Sequence, residues 1–576
     1  MGKTRPLTEA KISNEHNDKE ERWRKLLQPY KVIKDPVHKD IWLTETEVRI
    51  IDTPEFQRLR YIRQLGPAHL IYPGAKHTRF DHCIGTVHVV QKIINSIQRN
   101  SKIYNNAVEL TYRETFLARL TALLHDAAHL PFGHLIEDEG KILKEKQWRD
   151  EFRVNKLLGK GSNIRDVIEE SLKNNKIDKG EIEKLINELI EVLKYEEGNS
   201  ENDKKYKKGF EKRYIADIVG NTICADLLDY VKRDVYFTGI FGQFDERLFA
   251  YFTLLKDKKE GKKELVIELS KPKDNKPRYD VISAIIDLMH LRYSIAEKVY
   301  FHHTRQKLSA MIIEMVEAAF KAGILDKEKL FDFNDDYLLK FIVDYLNNAS
   351  ETEIKKLKSE NKMKYLEIAI LMARSILNRE LYDEVFRVER WQYDYNTETK
   401  NKIDTIIESW EYRFDFERFI EERLNLPPGS IIIYAPAPKM GAKREIQTKV
   451  EFQGSIYPLN EIPTINPQFD FIKKDVELTK VKHENLWNFK LLCSKEVKSE
   501  KRDRIKGICG EIFIQNVIGD DTLSLLRDFD PENRAIYKEA MERVIATEGI
   551  PPTSRRGVEC FLRRWVTAAE SHLNKK

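Results

Sequence analysis

Apolar residues recur at helical spacing along most of this chain. Phe116, Leu117, Leu120, Leu123 and Leu124 fall three and four residues apart, which predicts a largely buried helix within 114–128. A companion helix is predicted over 81–99. Upstream, β-branched residues flank Asp35-Pro36 in the stretch from Lys31 to Leu43, the pattern of a short hairpin. Glu45 to Leu65 reads as helices broken at Asp52-Thr53-Pro54, with helical period continuing from Phe56 to Leu65. Tyr72-Pro73-Gly74 marks a turn. Residues 136–212 are rich in Lys, Glu and Asn: helical patches such as Ile182 to Leu193, a mobile loop at 195–203 and a solvated charge run at 204–208.

The apolar helical pattern returns at Ile215. There Asp226, Asp229, Tyr230, Arg233 and Asp234 share one face by their spacing. A strand is expected at 264–270, one long helix over 280–319, and further helices over 324–349 and 351–380. After about residue 400 the pattern is mixed, with strands at 430–434, 447–452 and 454–457 before a helical end. No internal repeat is visible. The expected fold is mainly α: a helical core over 31–400 carrying the 136–212 insertion, after an arm at 1–30. A smaller α+β region follows at 401–576.

With 576 residues, 41% apolar and 10% aromatic, the chain has material for more than one core. Charged residues reach 34%, yet 99 basic against 94 acidic side chains leave +5, so any attraction for nucleic acid or membrane must be local. The five cysteines lie far apart without a CxxC pair, and Cys83 and Cys224 read as small buried apolar residues. The polar start argues against a signal peptide, and no apolar run approaches the ~20 residues that span a bilayer. A cytoplasmic protein without membrane contact is expected.

The chemistry concentrates between His77 and His134. A buried helix ending in His125-Asp126-x-x-His129 needs partners for its polar groups. A metal ion and phosphate oxygens supply them economically. His125 and Asp126 are adjacent and can converge only at a helix end; a second helix would add His82 and a third Asp226. Two imidazoles with two carboxylates suit a divalent ion such as Mn, Fe, Ni or Zn, with Mg a further candidate. His129 and His134 could donate to phosphate oxygens or carry a proton, and Arg79 is placed to clamp a phosphate. A lone His-Asp dipeptide usually means nothing, and a core histidine bonded to a backbone carbonyl is commoner than a ligand. Six candidate groups in one apolar frame favour a site.

Asp35-Pro-Val-His38, Ile51-Asp-Thr-Pro-Glu-Phe-Gln-Arg-Leu-Arg60, Gln64-Leu-Gly66, Pro73-Gly-Ala75, Arg79-Phe-Asp-His82 and His125-Asp126 followed by Pro131-Phe132 and His134 together resemble the HD-domain deoxynucleoside triphosphate triphosphohydrolases. The likeness is dense over 31–134, clear again at 226–239 and 292–303, and weak to about 460; no SAM domain is expected ahead of residue 31. The resemblance implies hydrolysis of a dNTP to deoxynucleoside and triphosphate. Its metal ligands would be His82, His125, Asp126 and Asp226. Arg79, His129 and His134 would meet the α-phosphate, His134 aiding in-line attack or protonating the leaving 5′ oxygen. Gln64 and Asp234 would hold the 3′ hydroxyl, Leu65 would crowd the 2′ position, Tyr230 and Tyr300 would pack on the nucleoside, and Arg292 would contact the outer phosphates.

The same resemblance implies an activator (d)NTP site using Lys31, Val32, Asp52, Gln57 and Arg60, and with it a homo-oligomer, dimer or tetramer. Asp52 is equally readable as a helix cap. Asp150, Leu227, Ala296, Phe301, Ala128 and Leu130 depart from the family pattern; Leu227 stands where a phosphate-binding lysine would. Two other readings follow. One is an HD phosphohydrolase acting on another nucleotide or a nucleic-acid end. The other is a nucleotide sensor or single-stranded nucleic-acid binder using Arg555, Arg556, Arg563 and Arg564.

Overall fold

A computed structural model describes residues 18–142, 154–195, 212–220, 223–256, 261–395, 397–436 and 448–514. The loop at 195–203 (past Tyr195), the charge run at 204–208, Asp150, Cys560 and the four C-terminal arginines lie outside them. The fold is mainly helical with small sheets, as the periodicity predicts. Among the described residues no helix is long and apolar enough to cross a membrane.

The chain forms two compact units. The first takes the described residues within 1–130, 145–299 and 442–481. It opens with the expected hairpin, strand β1 (Pro29–Asp35) antiparallel to β2 (Lys39–Thr44), with Val32 opposite Trp42. Three helices then begin on capping boxes, in which a threonine hydroxyl accepts from the backbone three residues on and an acid there reaches back. These are α1 (Glu45–Ile51) on Thr44 and Glu47, α2 (Arg79–Asn100) on Thr78 and Asp81, and α3 (Tyr112–Leu124) on Thr111 and Glu114. In α3 every residue from Glu114 to Leu124 is buried, so this helix is the unit's central rod. It packs against α2, which in turn packs against α4 (Ala225–Thr238). Strands β3 (Phe252–Lys256) and β4 (Lys263–Glu268) pair antiparallel. The strand Lys449–Phe452 then joins β4 in parallel and pairs with Ser455–Pro458. Helix α5 (Tyr279–Ile295) is the last α-helix of this unit before residue 300.

The second unit takes the described residues within 131–144, 300–441 and 482–576, so residue 400 falls inside it. Its sheet places Asn488–Cys493 between Asp383–Glu389 and Ile431–Tyr434, all antiparallel. Val388, Ile403, Phe416, Ile431, Phe489, Leu491 and Ile505 form the core beneath it.

Periodicity marked these elements but not their breaks. The single helix expected over 280–319 is α5, a π-helical turn at Ala296–Tyr300, and a new helix His303–Ala322 started by His302, whose ring accepts from Thr304 N. The helix expected over 324–349 starts only at Asp335, capped by Asn334. The one over 351–380 splits at Asn361, which takes a φ of 53°. Phe56–Leu65 is a short α turn, Pro54–Gln57, then a 3-10 turn, Arg58–Tyr61, then extended chain at Ile62. One-turn breaks leave the apolar spacing almost in phase, so the pattern alone passes over them. The strands Phe252–Lys256, Asp383–Glu389 and Asn488–Cys493 carried too little alternation to be expected.

Candidate metal centre

Helices α2, α3 and α4 supply the three sides of a partly buried polar centre. His82 lies in the first turn of α2, His125 caps the C-terminus of α3, and Asp226 lies in the first turn of α4. The helix expected to reach residue 128 ends at Leu124. The turn after it frees His125 and Asp126 from the helical periodicity that would spread them apart.

His82 Nε2 and His125 Nε2 lie 3.2 Å apart. Asp226 Oδ1 is 2.9 Å from the first and 3.6 Å from the second. These three groups converge tightly enough to share one ion. Asp126 stands one step back: its carboxylate oxygens are 3.7 Å from each of the two Nε2 atoms. Oδ2 accepts from Arg79 Nη1 at 2.5 Å and Oδ1 from His129 Nε2 at 3.0 Å.

The donor set fits a divalent cation. His82 Nδ1 lies 2.7 Å from Asp229 Oδ2, and His125 Nδ1 lies 2.8 Å from the Ala122 carbonyl. Both partners only accept, so each Nδ1 carries a hydrogen and each Nε2 faces inward, where it can take a proton or an ion. Two lone pairs and a carboxylate at these separations require positive charge among them. Neighbouring ligands on an ion with bonds of ~2.1 Å lie ~3.0–3.4 Å apart, close to the spacing of the two histidines.

The electrostatics agree. Although burial disfavours a charged ring, the Asp226 and Asp229 carboxylates hold His82 up at about 10. Burial opposes charge on His125 too, and Asp126 raises it. Burial pushes the Asp226 carboxyl up, but bonds from His125 and His82 keep it well below the usual carboxylate range. A centre that holds protons this firmly attracts a metal cation by the same field.

Among the substrate positions implied by the resemblance, Gln64, Leu65, Tyr230, Asp234 and Arg292 all belong to the first unit. Among the described residues the buried Gln64 Oε1 has no hydrogen-bond partner, and Leu65 is buried. Asp234 Oδ1 accepts from His77 Nε2 at 2.8 Å, while the His77 ring stacks on Phe237 with centroids 4.7 Å apart. Burial pushes the Tyr230 hydroxyl up against the opposing influence of nearby Arg292. His134 and Tyr300 belong to the second unit; His134 is exposed and pairs with Asp138 at 2.7 Å.

The activator positions are partly gathered. Gln57 accepts from Arg60 Nε at 2.9 Å, and the Arg60 guanidinium covers the Phe80 ring at 3.5 Å. Lys31 and Val32 are exposed on β1. The capping role open to Asp52 is not realised: it terminates α1, and Thr53 stands at the start of Pro54–Gln57. Cys83 and Cys224 are buried free thiols.

Sequence reasoning set Asp229 and Arg233 on one face with Asp226 but gave the groups behind His82 no role. Asp229, Arg233, Asp35 and His38 are buried and bonded to one another. The i,i+4 spacing of Asp229 and Arg233 was a visible signal, but their link to the hairpin turn spans almost two hundred residues.

Residues 79–234 match the HD domain family. That stretch holds all of His82, His125, Asp126 and Asp226, and an HD domain implies a divalent metal site. Among its relatives, the uncharacterized protein MJ1154 of Methanocaldococcus jannaschii is 32% identical over 314 residues, covering 54% of this chain and 55% of that protein. The mouse deoxynucleoside triphosphate triphosphohydrolase SAMHD1 is 26% identical over 429 residues, covering 65% of this chain and 63% of the mouse protein. The chain thus spans less than two thirds of the length of either relative. A crystal structure of a hypothetical protein from Aquifex aeolicus shares the fold with a TM-score of 0.51 at 19% identity, covering 82% of this chain and 99% of that one.

Proposed function

We propose that this protein is a metal-dependent phosphohydrolase that cleaves a dNTP into deoxynucleoside and inorganic triphosphate. The observation that carries the reading is the convergence of two histidine Nε2 atoms and Asp226, with Asp126, Arg79 and His129 directly beside them. His82, His125 and Asp226 would hold the ion, with Asp126 near enough to join them. A divalent cation there supplies Lewis acidity to phosphate oxygens and makes water a stronger nucleophile.

The chain's own residues do the rest. Arg79 brings a buried guanidinium to the Asp126 side of the centre, where it can neutralise charge gathering on a phosphoryl group. His129, held by Asp126, can donate to a phosphate oxygen or hand on a proton. Gln64 offers its unpartnered oxygen to a sugar hydroxyl, with Asp234 as a second acceptor and Leu65 excluding a 2′ hydroxyl. Tyr230 would pack on the nucleoside and Arg292 would meet the outer phosphates. The roles of His134 and Tyr300 rest on the family resemblance. So do activation by a nucleotide at Lys31, Val32, Asp52, Gln57 and Arg60, assembly into a dimer or tetramer, and a part in dNTP homeostasis or antiphage defence.

One observation favours a second reading. Leu227, in the place of a phosphate-binding lysine, is buried and apolar, which loosens the grip on a triphosphate. That suits an HD enzyme acting on another phosphoester. Incubation with each dNTP, singly and mixed, with Mn or Mg, separates the two. Deoxynucleoside plus triphosphate supports the first reading, and activity only in mixtures supports an activator site. Stepwise phosphate or a monophosphate product supports the second.

A further inference from the structure

Behind His82 lies a closed set of buried groups that no part of the proposed reaction uses. Asp229 Oδ2 accepts from His82 Nδ1 at 2.7 Å, and Oδ1 accepts from His38 Nε2 at 2.7 Å. Arg233, one turn further along α4, grips the same carboxylate with Nε at 2.9 Å and Nη2 at 3.0 Å. Its remaining nitrogen, Nη1, reaches Asp35 Oδ2 at 2.8 Å. The other Asp35 oxygen fixes the hairpin turn by accepting from Val37 N at 2.9 Å and His38 N at 2.7 Å. The side chains of His82, Asp229 and Arg233 are 0% exposed, and those of His38 and Asp35 are 1% and 2%.

We propose that Asp229 is a positioning residue for the metal centre, and that the hairpin turn Asp35–His38 acts with it by holding Asp229 in place through His38 and Arg233. The inference rests on the metal-site reading above, not on the identity of the substrate. A buried carboxylate that accepts from His82 Nδ1 keeps a hydrogen on that nitrogen, so Nε2, aimed at His125 and Asp226, is the one that can bind an ion. Four donors on two oxygens leave that carboxylate no other rotamer. The helices are brought together to allow it: a Cβ on Gly85 of α2 would stand 2.0 Å from Asp229 Oδ1 and 2.2 Å from Arg233 Nη2. An ion pair that merely tied α4 to the hairpin would have no need to meet a metal ligand, nor of a glycine on the ligand's own helix.

The test is Co2+ binding to the full-length protein stripped of metal, followed by the visible absorption bands of the ion and by far-UV circular dichroism melting. Asp229→Asn keeps the shape but leaves one accepting oxygen for four donors, so its amide NH2 must meet an N–H of His82, His38 or Arg233. We expect its Co2+ Kd to rise ~10–100-fold, with altered bands, while the helices still melt cooperatively. Should Asp229→Asn fail to fold, Asp35→Asn acts two hydrogen bonds further away, through Arg233, and is expected to weaken Co2+ binding by a smaller factor. Unchanged affinity and bands in Asp229→Asn overturn the proposal; if only Asp35→Asn can be measured, an unchanged Kd there overturns it. Failure of the unmodified protein to bind Co2+ overturns this inference and the metal-site reading together. Tight Co2+ binding without dNTP hydrolysis removes only the substrate assignment, and the comparison of variants still decides this point.

Discussion

His82 and His125 face each other through their Nε2 atoms at 3.2 Å, each with its Nδ1 already bonded to an oxygen. Left neutral, the two rings would set lone pair against lone pair inside the protein. The arrangement is stable only with positive charge between or upon them, supplied by a proton or a metal ion. The centre's first consequence therefore concerns stability. Metal that binds the folded chain and not the unfolded one raises stability by about 2.7 kcal/mol at a hundred times its Kd. Mn2+ should raise the melting temperature of the unmodified protein, and His82→Ala, His125→Ala and Asp226→Ala should each lose that increment together with hydrolysis. An Mn2+ shift that survives in all three variants would remove the site from this location.

Asp126 is expected to behave differently from those three. Its oxygens are engaged by Arg79 and His129 and stand 3.7 Å from the histidine nitrogens. Asp126→Asn should retain measurable Mn2+ binding while its hydrolysis falls by about 100-fold or more, since Arg79 and His129 lose the carboxylate that orients them. Parallel calorimetric titration and turnover measurements check this. Complete loss of Mn2+ binding would instead make Asp126 an indispensable ligand.

Gly85 allows the closest approach between α2 and the Asp229–Arg233 pair. Gly85→Ala must push these groups apart, since the added carbon would overlap both. Overpacking of this kind costs about 1–3 kcal/mol, and the displaced Asp229 should weaken metal binding as well. A urea midpoint equal to that of the unmodified protein would show that the helices yield without cost.

A pH dependence follows from the sheet of the first unit. Glu268 and Glu451 are partners in the parallel pairing of β4 with Lys449–Phe452, and both are buried. Burial, and then the neighbouring Glu451 charge, push the Glu268 carboxyl up to about 9. The folded chain therefore keeps a proton that the unfolded chain releases near 4.5. Stability from this group is full below pH 4.5 and is lost as pH rises through 9. Glu268→Gln, neutral at every pH, should flatten that decline. The melting temperatures of the two proteins should diverge in the variant's favour between pH 6 and pH 9, and parallel curves would contradict the assignment.

Gln64 provides a test of substrate contact. Its buried oxygen has no partner among the described residues and suits a sugar hydroxyl. Gln64→Leu removes the acceptor at similar volume. On the dNTPase reading, kcat/KM for dNTPs should fall by an amount equivalent to about 1–3 kcal/mol, with a smaller loss for 2′,3′-dideoxynucleotides that lack the 3′ hydroxyl. Equal losses for both substrates would place the sugar elsewhere.

Much of this protein was legible in its sequence. Apolar spacing announced the buried rod of α3, because a helix surrounded by others must be apolar on nearly every face. Asp35-Pro36 announced the hairpin, and the His-Asp text between His77 and His134, with Asp226, announced a polar centre in an apolar frame. These are local properties: composition, period and the reach of one or two helical turns determine them.

What the sequence by itself could not determine is which groups meet. Nothing in its spacing joins Asp35 to Arg233, or sets Asp229 behind His82, across about 150–200 residues. Those contacts arise only when α2, α4 and the hairpin pack, and only because Gly85 lets them come so close. The breaks near Ala296 and Asn361 were hidden because a single displaced turn hardly alters the apolar phase. The pairing of β4 with Lys449–Phe452 was hidden because strand partners are chosen by hydrogen bonds between distant backbones. Local chemistry set the elements and the candidate ligands; tertiary packing decided which nitrogens turn inward and what holds them there.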